Sequence, residues 1–159
     1  MSIENVRQYL AARGAADRIM EFAQSTATVQ EAAQTLGVEG ARIAKTLSFR
    51  GSEAGACIIL VAAGDVRIDN HAFRAQFGVK PRMLSAEEAV AYTGHAVGGV
   101  CPFDLPENVP VYLDESLRRF DTVYPAAGNA ASAVRLTPDE LFALSDARGW
   151  VAVGKVSES

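Results

Sequence analysis

The chain has 159 residues, of which 49% are apolar and 21% are charged. This composition is typical of a folded soluble protein, and the length suits one domain, over residues 1–159, with a core of its own. No run approaches the roughly 18 consecutive apolar residues of a membrane span, and the first residues mix charges, unlike a signal peptide. Two cysteines make no disulfide framework. We therefore expect a cytoplasmic protein.

The chain is acidic, with a net charge of −4 and a pI near 5.2. This balance argues against DNA binding or any grip on a long nucleic acid through many phosphates. It leaves open a protein that takes only the end of an RNA into a pocket. Positive charge is denser in one part of the chain, at Arg42, Lys45, Arg50, Arg67, Arg74, Lys80 and Arg82.

Helices are predicted first where apolar residues recur at helical spacing. Residues 3–10 form one such pattern, which ends near Gly14. Thr28 and Glu31 form a capping box for a second helix with a buried stripe at Val29, Ala32, Ala33 and Leu36, and Gly37 supplies its stop.

The middle of the chain carries the clearest strand signals. Residues 45–50 alternate polar and apolar side chains, as a half-buried strand does. Residues 57–63 are apolar throughout and rich in β-branched side chains, which predicts a central strand covered on both faces. Further strands are expected at 97–100, 109–113, 122–124, 133–136 and 151–153.

Three more helices follow from capping residues. Asp69 begins one that Gly78 ends, and Ser85 begins a short one through Val90. The capping box with proline at 137–140 begins a helix that we expect to run to about residue 148. Strands and helices interleave without a regular βαβ rhythm, so the predicted fold class is α+β, with a central mixed sheet and helices around it.

Common catalytic signatures are missing from the sequence. It contains no GxGxxG, no GxxxxGK[ST] and no GxSxG motif. The two cysteines and two histidines are dispersed rather than clustered as zinc ligands are. We therefore expect neither a metal nor a cofactor.

The glycine-rich segment 93–103 is the most informative one. Two adjacent glycines followed by a proline form a loop whose backbone can approach a ligand and hold an anion or a polarised carbonyl. A strand-end bulge without function is the other interpretation. The segment also holds His95 and Cys101. They form either a catalytic thiol with its base or an ordinary packing contact.

Two further features accompany this loop. Residues 124–132 have few bulky side chains, which leaves room for a ligand or allows a tightly packed turn. Lys45 stands where a turn of helix leads into a strand. Its ammonium is either a solvated surface charge or a cation that points into a cleft.

These segments together carry a family resemblance. The matching motifs are Thr28–Ala33 with Leu36–Val38, Ile43–Leu47, Thr93–Phe103, and Gly128–Asn129 ahead of Thr137–Leu141. In this order they resemble the YbaK/EbsC family, which includes the inserted editing domain of bacterial prolyl-tRNA synthetases. The resemblance covers roughly residues 20 to 145.

The resemblance implies a partly barrel-like mixed sheet and the hydrolysis of a non-cognate aminoacyl ester at a tRNA 3′ end, without metal or cofactor. It implies that Lys45 is catalytic and that Gly128 and Asn129 shape the amino acid pocket. The 3′ end would lie on the backbone of the glycine loop, at Gly98, Gly99, Val100, Cys101 and Pro102, beside His95. The implied partners are an aminoacyl-tRNA and, as a further candidate, prolyl-tRNA synthetase.

Three positions depart from the family pattern. Cys101 stands where many relatives have serine, and Asp104 where they have glycine. Branches specific for cysteinyl-tRNA carry an acidic residue near Ala133. The amino acid removed is therefore open, with alanine, serine and 2-aminobutyrate as small candidates. Prolyl-tRNA as the carrier follows from the resemblance alone.

Two other functions compete with the deacylase. One is a non-catalytic module that binds the tRNA end or assists a synthetase, and the other is a Cys101-dependent hydrolase of a small ester or amide. Lys45 together with the glycine loop favours the deacylase, because a binding module needs the basic surface that this acidic chain lacks.

Overall fold

A mixed four-stranded sheet forms the centre of the computed structural model, which describes residues 2–53, 55–95 and 99–156. The strands are β1 (Ile19–Glu21), β2 (Ala44–Arg50), β3 (Cys57–Ala63), β4 (Val66–Ile68), β5 (Val111–Asp114), β6 (Ser132–Val134), β7 (Gly149–Val151) and β8 (Gly154–Val156). The α-helices are α1 (Ser2–Ala11), α2 (Val29–Leu36), α3 (Asn70–Phe77), α4 (Ala86–Thr93) and α5 (Pro138–Leu144).

The central sheet has the order β2-β3-β5-β7. All seven residues of β3 are buried, which confirms the predicted central strand. β3 pairs antiparallel with β2 and parallel with β5, and β5 pairs parallel with β7, so the sheet is mixed as predicted. Two antiparallel ribbons, β1-β6 and β4-β8, lie outside it. The described strands form an open sheet rather than a closed barrel, and β2 lies at its edge.

The predicted N-cap residues are observed. The capping boxes at Ser85 and Thr137 are complete, whereas the Glu31 carboxylate accepts from the hydroxyls of Ser25 and Thr28 instead of the Thr28 N–H. The side chains of Thr28, Asp69, Ser85 and Thr137 each accept a backbone N–H of the first helical turn. Helix α4 runs to Thr93 rather than Val90. Helix α5 ends at Leu144, short of residue 148, because Asp146 adopts a left-handed backbone (φ 53°) and the Ala147 amide returns to the Phe142 carbonyl at 3.2 Å.

The short strands differ most from the sequence prediction. Instead of a strand at 122–124, Val123 and Tyr124 form single β-bridges. The strands predicted at 109–113, 133–136 and 151–153 are displaced by one or two residues, as β5, β6 and β7. Of the strand predicted at 97–100, residues 97 and 98 lie outside the described part, and 99 and 100 form no strand. The three-residue strands β1, β4 and β8 were not predicted.

Hydrophobic clusters pack on both faces of the sheet. On one face, Val6 and Leu10 of α1 pack with Ile59, Phe103 and Leu113. On the other, Phe49, Leu60 and Phe73 form a cluster. Aromatic rings continue this second cluster at centroid distances of 4.7 to 5.0 Å, in the pairs Phe49–Phe73, Phe73–Phe77 and Phe77–Tyr112.

The buried carboxylate of Asp114 ties the end of β5 to two other segments. Its Oδ1 accepts the backbone N–H groups of Val153 and Gly154, both at 2.9 Å, and its Oδ2 accepts that of Ser116 at 3.0 Å. A Cβ at Gly154 would lie 2.7 Å from Oδ2, so this position requires glycine. The carboxylate thus fixes the turn between β7 and β8.

Replacing Asp114 with alanine should lower the free energy of unfolding by about 3 kcal/mol or more, because three backbone donors lose their acceptor where water has little access. Urea denaturation measures the change. Asp114→Asn is the matched control and should cost less, since its amide oxygen can still accept from Val153 and Gly154. Equal stability of the alanine variant and the original protein would contradict this role.

Candidate functional site

A cavity of about 310 Å³ lies along the edge of β2 that faces away from β3. Its walls are made largely of small and hydroxyl-bearing residues, and the larger ones are Ile43, Lys45, Leu47, Met83, Leu84 and Tyr124. The lining consists of Thr26, Ala27, Thr28, Val29, Ala32, Ile43, Ala44, Lys45, Thr46, Leu47, Ser48, Met83, Leu84, Ala89, Val100, Tyr124, Ala126, Ser132 and Ala133. A cavity of this size suits a small ligand group rather than a large one.

Lys45 brings a cation to this cavity. It lies near the start of β2, opposite Ala62 of β3, and its side chain is half-buried. Its Nζ donates a hydrogen bond to the Val66 carbonyl. Burial lowers the pKa of Lys45, and the nearby Asp65 carboxylate partly opposes this shift.

The Asp65 carboxylate is itself held by an arginine. Arg119 Nη2 and Nη1 lie 2.6 and 3.0 Å from its two oxygens. This bidentate pair keeps the pKa of Asp65 below its usual range. Asp65 therefore remains charged and favours the protonated form of Lys45.

The glycine-rich loop reaches the same cavity. Val100 is one of the lining residues. A Cβ at Gly99 would lie 2.5 Å from the Asn129 Cα, so glycine is needed where these two backbones touch. The loop therefore packs directly on the segment around residue 129. Gly98 lies outside the described residues.

Gly128 and Asn129 shape the cavity indirectly, since neither is among its lining residues. Gly128 has φ 103°, a conformation that favours glycine. Asn129 Oδ1 accepts the Ala131 N–H at 2.9 Å and so closes the turn. Ser132, which follows this turn, does line the cavity.

Two hydrogen bonds of the Thr26 hydroxyl fix the backbone of Ser132 in place. The Thr26 hydroxyl donates to the Ser132 carbonyl at 3.1 Å and accepts the Ser132 N–H at 2.9 Å. Both residues are buried and both line the cavity. Sequence reasoning pointed to residues 124–132 as room for a ligand, and this segment includes Tyr124 and Ser132. It missed Thr26, because no local pattern links residues a hundred positions apart.

His95, Cys101 and Pro102 are buried and lie outside the cavity lining. Cys101 Sγ lies 3.6 Å from His95 Nε2, which lies 2.8 Å from the Phe103 carbonyl oxygen. Burial raises the pKa of Cys101 to about 12 and lowers that of His95. The two side chains therefore touch as neutral groups, without the thiolate that nucleophilic catalysis requires.

The described residues contain no group of three or more histidine, cysteine, aspartate or glutamate side chains placed to hold a metal ion. None of their helices has the length and apolar character needed to cross a membrane.

Comparison with known proteins yields a consistent set of relatives. A family model described as "Aminoacyl-tRNA editing domain" matches residues 23–144. The chain is 50% identical over 155 residues to "Uncharacterized protein YwhH" of Bacillus subtilis (strain 168), covering 98% of both chains. It is 29% identical over 129 residues to the "Putative Cys-tRNA(Pro)/Cys-tRNA(Cys) deacylase EbsC" of Enterococcus faecalis, covering 79% of this chain and 78% of the relative.

A solved structure shares the whole fold. It is described as a "putative trans-editing enzyme for prolyl tRNA synthetase", with 33% sequence identity and a TM-score of 0.86. The similarity covers 97% of each chain.

Cys101 should resist thiol reagents in the folded protein, because its thiol is fully buried and burial raises its pKa to about 12. A coloured disulfide reagent at pH 8 should react with it only after denaturation. Cys57→Ala, which leaves Cys101 as the single thiol, makes the assignment unambiguous. Rapid reaction of Cys101 in the native state would revive the thiol-dependent hydrolase.

Proposed function

The chain belongs to the aminoacyl-tRNA editing domain family, and we propose that it hydrolyses the ester between a small non-cognate amino acid and the 3′ end of a tRNA. One observation carries the proposal: Lys45 and Val100 of the glycine loop line the same cavity, whose other walls are mostly small. The two motifs are more than fifty residues apart in the chain. Lys45 and the glycine loop therefore reach one cavity, in which an ester could lie.

The proposed reaction needs no covalent intermediate. Water adds to the ester carbonyl carbon, the bond from this carbon to the ribose oxygen breaks, and that oxygen leaves as a hydroxyl with a proton from the water. The Lys45 ammonium would stabilise the negative charge that develops on oxygen, and the loop around Gly99 and Val100 would hold the terminal adenosine. Positioning and electrostatics then provide the catalysis.

The cavity walls support a small amino acid as the acyl group of the ester. Alanine residues contribute to the wall from four parts of the chain, at Ala32, Ala44, Ala89 and Ala133. An editing site rejects the larger cognate residue by size. Alanyl, seryl and 2-aminobutyryl esters are therefore the proposed substrates, and Ala133 stands where an acidic residue would favour cysteine.

The names of two similar proteins support tRNA(Pro) as the carrier, since one refers to Cys-tRNA(Pro) beside Cys-tRNA(Cys) and the other to prolyl tRNA synthetase. Exposed cations at Lys80 and Arg82 lie next to Met83 of the cavity wall. They offer contacts for phosphates near the 3′ end on a chain that is acidic as a whole. A reaction on tRNA would also agree with the expected cytoplasmic location.

The competing functions have less support. The neutral pair of Cys101 and His95 lies outside the cavity lining and is buried, which disfavours a thiol nucleophile. A binding module does not explain a lysine that keeps its charge at a cost in desolvation. The deacylase accounts for both features.

Lys45→Ala should lower kcat/KM for deacylation of mischarged tRNA(Pro) by about 100-fold or more, the usual loss when one electrostatic contact to a developing oxyanion is removed. Release of alanine, serine, 2-aminobutyrate or cysteine from the charged tRNA measures the rate. Lys155→Ala is the matched control, because this lysine lies on β8 and outside the cavity lining. Full activity of Lys45→Ala would remove Lys45 from the mechanism.

Asp65→Asn should move the alkaline limb of the pH profile to lower pH. The Asp65 charge raises the pKa of Lys45, so its removal lowers that pKa, and the active ammonium is lost earlier as the pH rises. The rate of deacylation, corrected for spontaneous ester hydrolysis, measures the shift. Asp121→Asn is the control, since Asp121 is not among the groups that shift the pKa of Lys45. An unchanged limb would contradict a protonated Lys45 as the active form.

A further inference from the structure

The outer edge of β2 is hydrogen-bonded at its two ends. Near its start, the Ala44 N–H donates to the Tyr124 carbonyl at 3.1 Å. Near its end, the Ser48 carbonyl accepts the Leu84 N–H at 3.0 Å, and the Arg50 N–H donates to the Arg82 carbonyl at 2.8 Å. Residues 44, 48 and 50 thus direct their backbone polar groups away from β3.

The alternation of an antiparallel strand places Thr46 in the same set. Its N–H and C=O therefore point outward, between the bonds at Tyr124 and Leu84. In the described part of the chain, no hydrogen bond links either group to a neighbour on that side. Thr46 lines the cavity, and its hydroxyl is buried without a hydrogen-bond partner. Three polar groups of one residue are thus available at the cavity wall.

The gap is a built feature of the fold. On one side, the segment that pairs with β2 ends at Tyr124, since Pro125 follows. The chain turns away there, and the Pro125 carbonyl accepts the Val134 N–H. On the other side Ser85 caps α4, so the segment at residues 82–84 cannot extend the ladder. The free stretch from residue 44 to residue 48 spans roughly 13 Å. This length has room for one aminoacyl group.

We propose that the aminoacyl group binds to the backbone of Thr46 in the way that a facing residue binds in an antiparallel pair of strands. This inference rests on the proposed function. The α-ammonium of the substrate donates to the Thr46 carbonyl, and the ester carbonyl oxygen accepts the Thr46 N–H. This pair of bonds is the exchange that a hydrogen-bonded residue pair makes in a sheet. The bond from the ammonium is charge-assisted and so the stronger of the two.

This arrangement separates two kinds of recognition. The backbone of Thr46 binds the amino and carbonyl groups that all amino acids share, and the small cavity walls select the side chain. The ester carbonyl, held by the N–H of Thr46, lies on the strand that also carries Lys45. The protein should therefore require a free α-amino group on its substrate.

Binding of stable analogues tests this requirement without catalysis. The probes are 3′-deoxyadenosines that carry alanine, propanoate or lactate through a 3′-amide, so that they differ only at the α-position. The alanyl analogue should bind at least about 10-fold more tightly than the other two, and it should shift the Thr46 amide resonance in a ¹⁵N-edited NMR titration. Equal affinity of the three analogues, no binding of the alanyl analogue, or an unmoved Thr46 amide would overturn the proposal.

Two variants separate the backbone from the hydroxyl. Thr46→Val keeps the shape and the backbone and should keep the preference for the alanyl analogue. Thr46→Pro removes the outward N–H, which an edge strand tolerates, and should weaken binding of the alanyl analogue by about 10-fold. If Thr46→Pro does not fold, the comparison of the three analogues on the original protein still decides the proposal.

The outcome is independent of the test of deacylation. Tight, ammonium-dependent binding without ester hydrolysis would support the Thr46 contact and overturn the proposed reaction. Rapid hydrolysis of aminoacyl-tRNA with equal affinity for the three analogues would support the reaction and overturn the Thr46 contact.

Discussion

The site depends on one constraint: β2 lies at the edge of the sheet, and the described residues pair with its outer side only at its two ends. The buried strand β3 fixes β2 along its whole length from within. Short pairings to Tyr124 and to Leu84 fix it from outside. Between them the cavity opens onto the backbone of Thr46. A continuous outer strand would stabilise the sheet further but would fill the space where a ligand can bind.

The electrostatics of the site follow from partial burial. Lys45 is buried enough for its pKa to fall, yet Asp65, held charged by Arg119, favours the ammonium. A cation with little water around it acts more strongly on nearby oxygen atoms than one in bulk solvent. The same burial has the opposite effect on Cys101, whose thiol stays neutral. The molecule thus favours catalysis by a positioned charge over catalysis by a nucleophile.

Local signals predicted much of this fold, and contacts between distant segments account for the rest. Helix caps such as Thr28 and Ser85 act within four residues, so the sequence reveals them. The apolar run of β3 identifies the central strand for the same reason. The three-residue strands β1, β4 and β8 exist only through their partners, and α5 ends at Asp146 where no glycine marks the stop.

The candidate site shows the same division. Lys45 and the glycine loop were predicted from their motifs, whereas the pairing of Thr26 with Ser132 across 106 positions was not. Exclusion by size at the small cavity walls would be one condition on the amino acid. A backbone contact at Thr46 adds a second condition, because the ring of proline joins its side chain to its own nitrogen. To place its ammonium against the Thr46 carbonyl, proline must also bring its ring against the strand edge. The cavity walls and the Thr46 backbone would then both disfavour proline as the cognate amino acid, while a small acyclic amino acid satisfies both conditions.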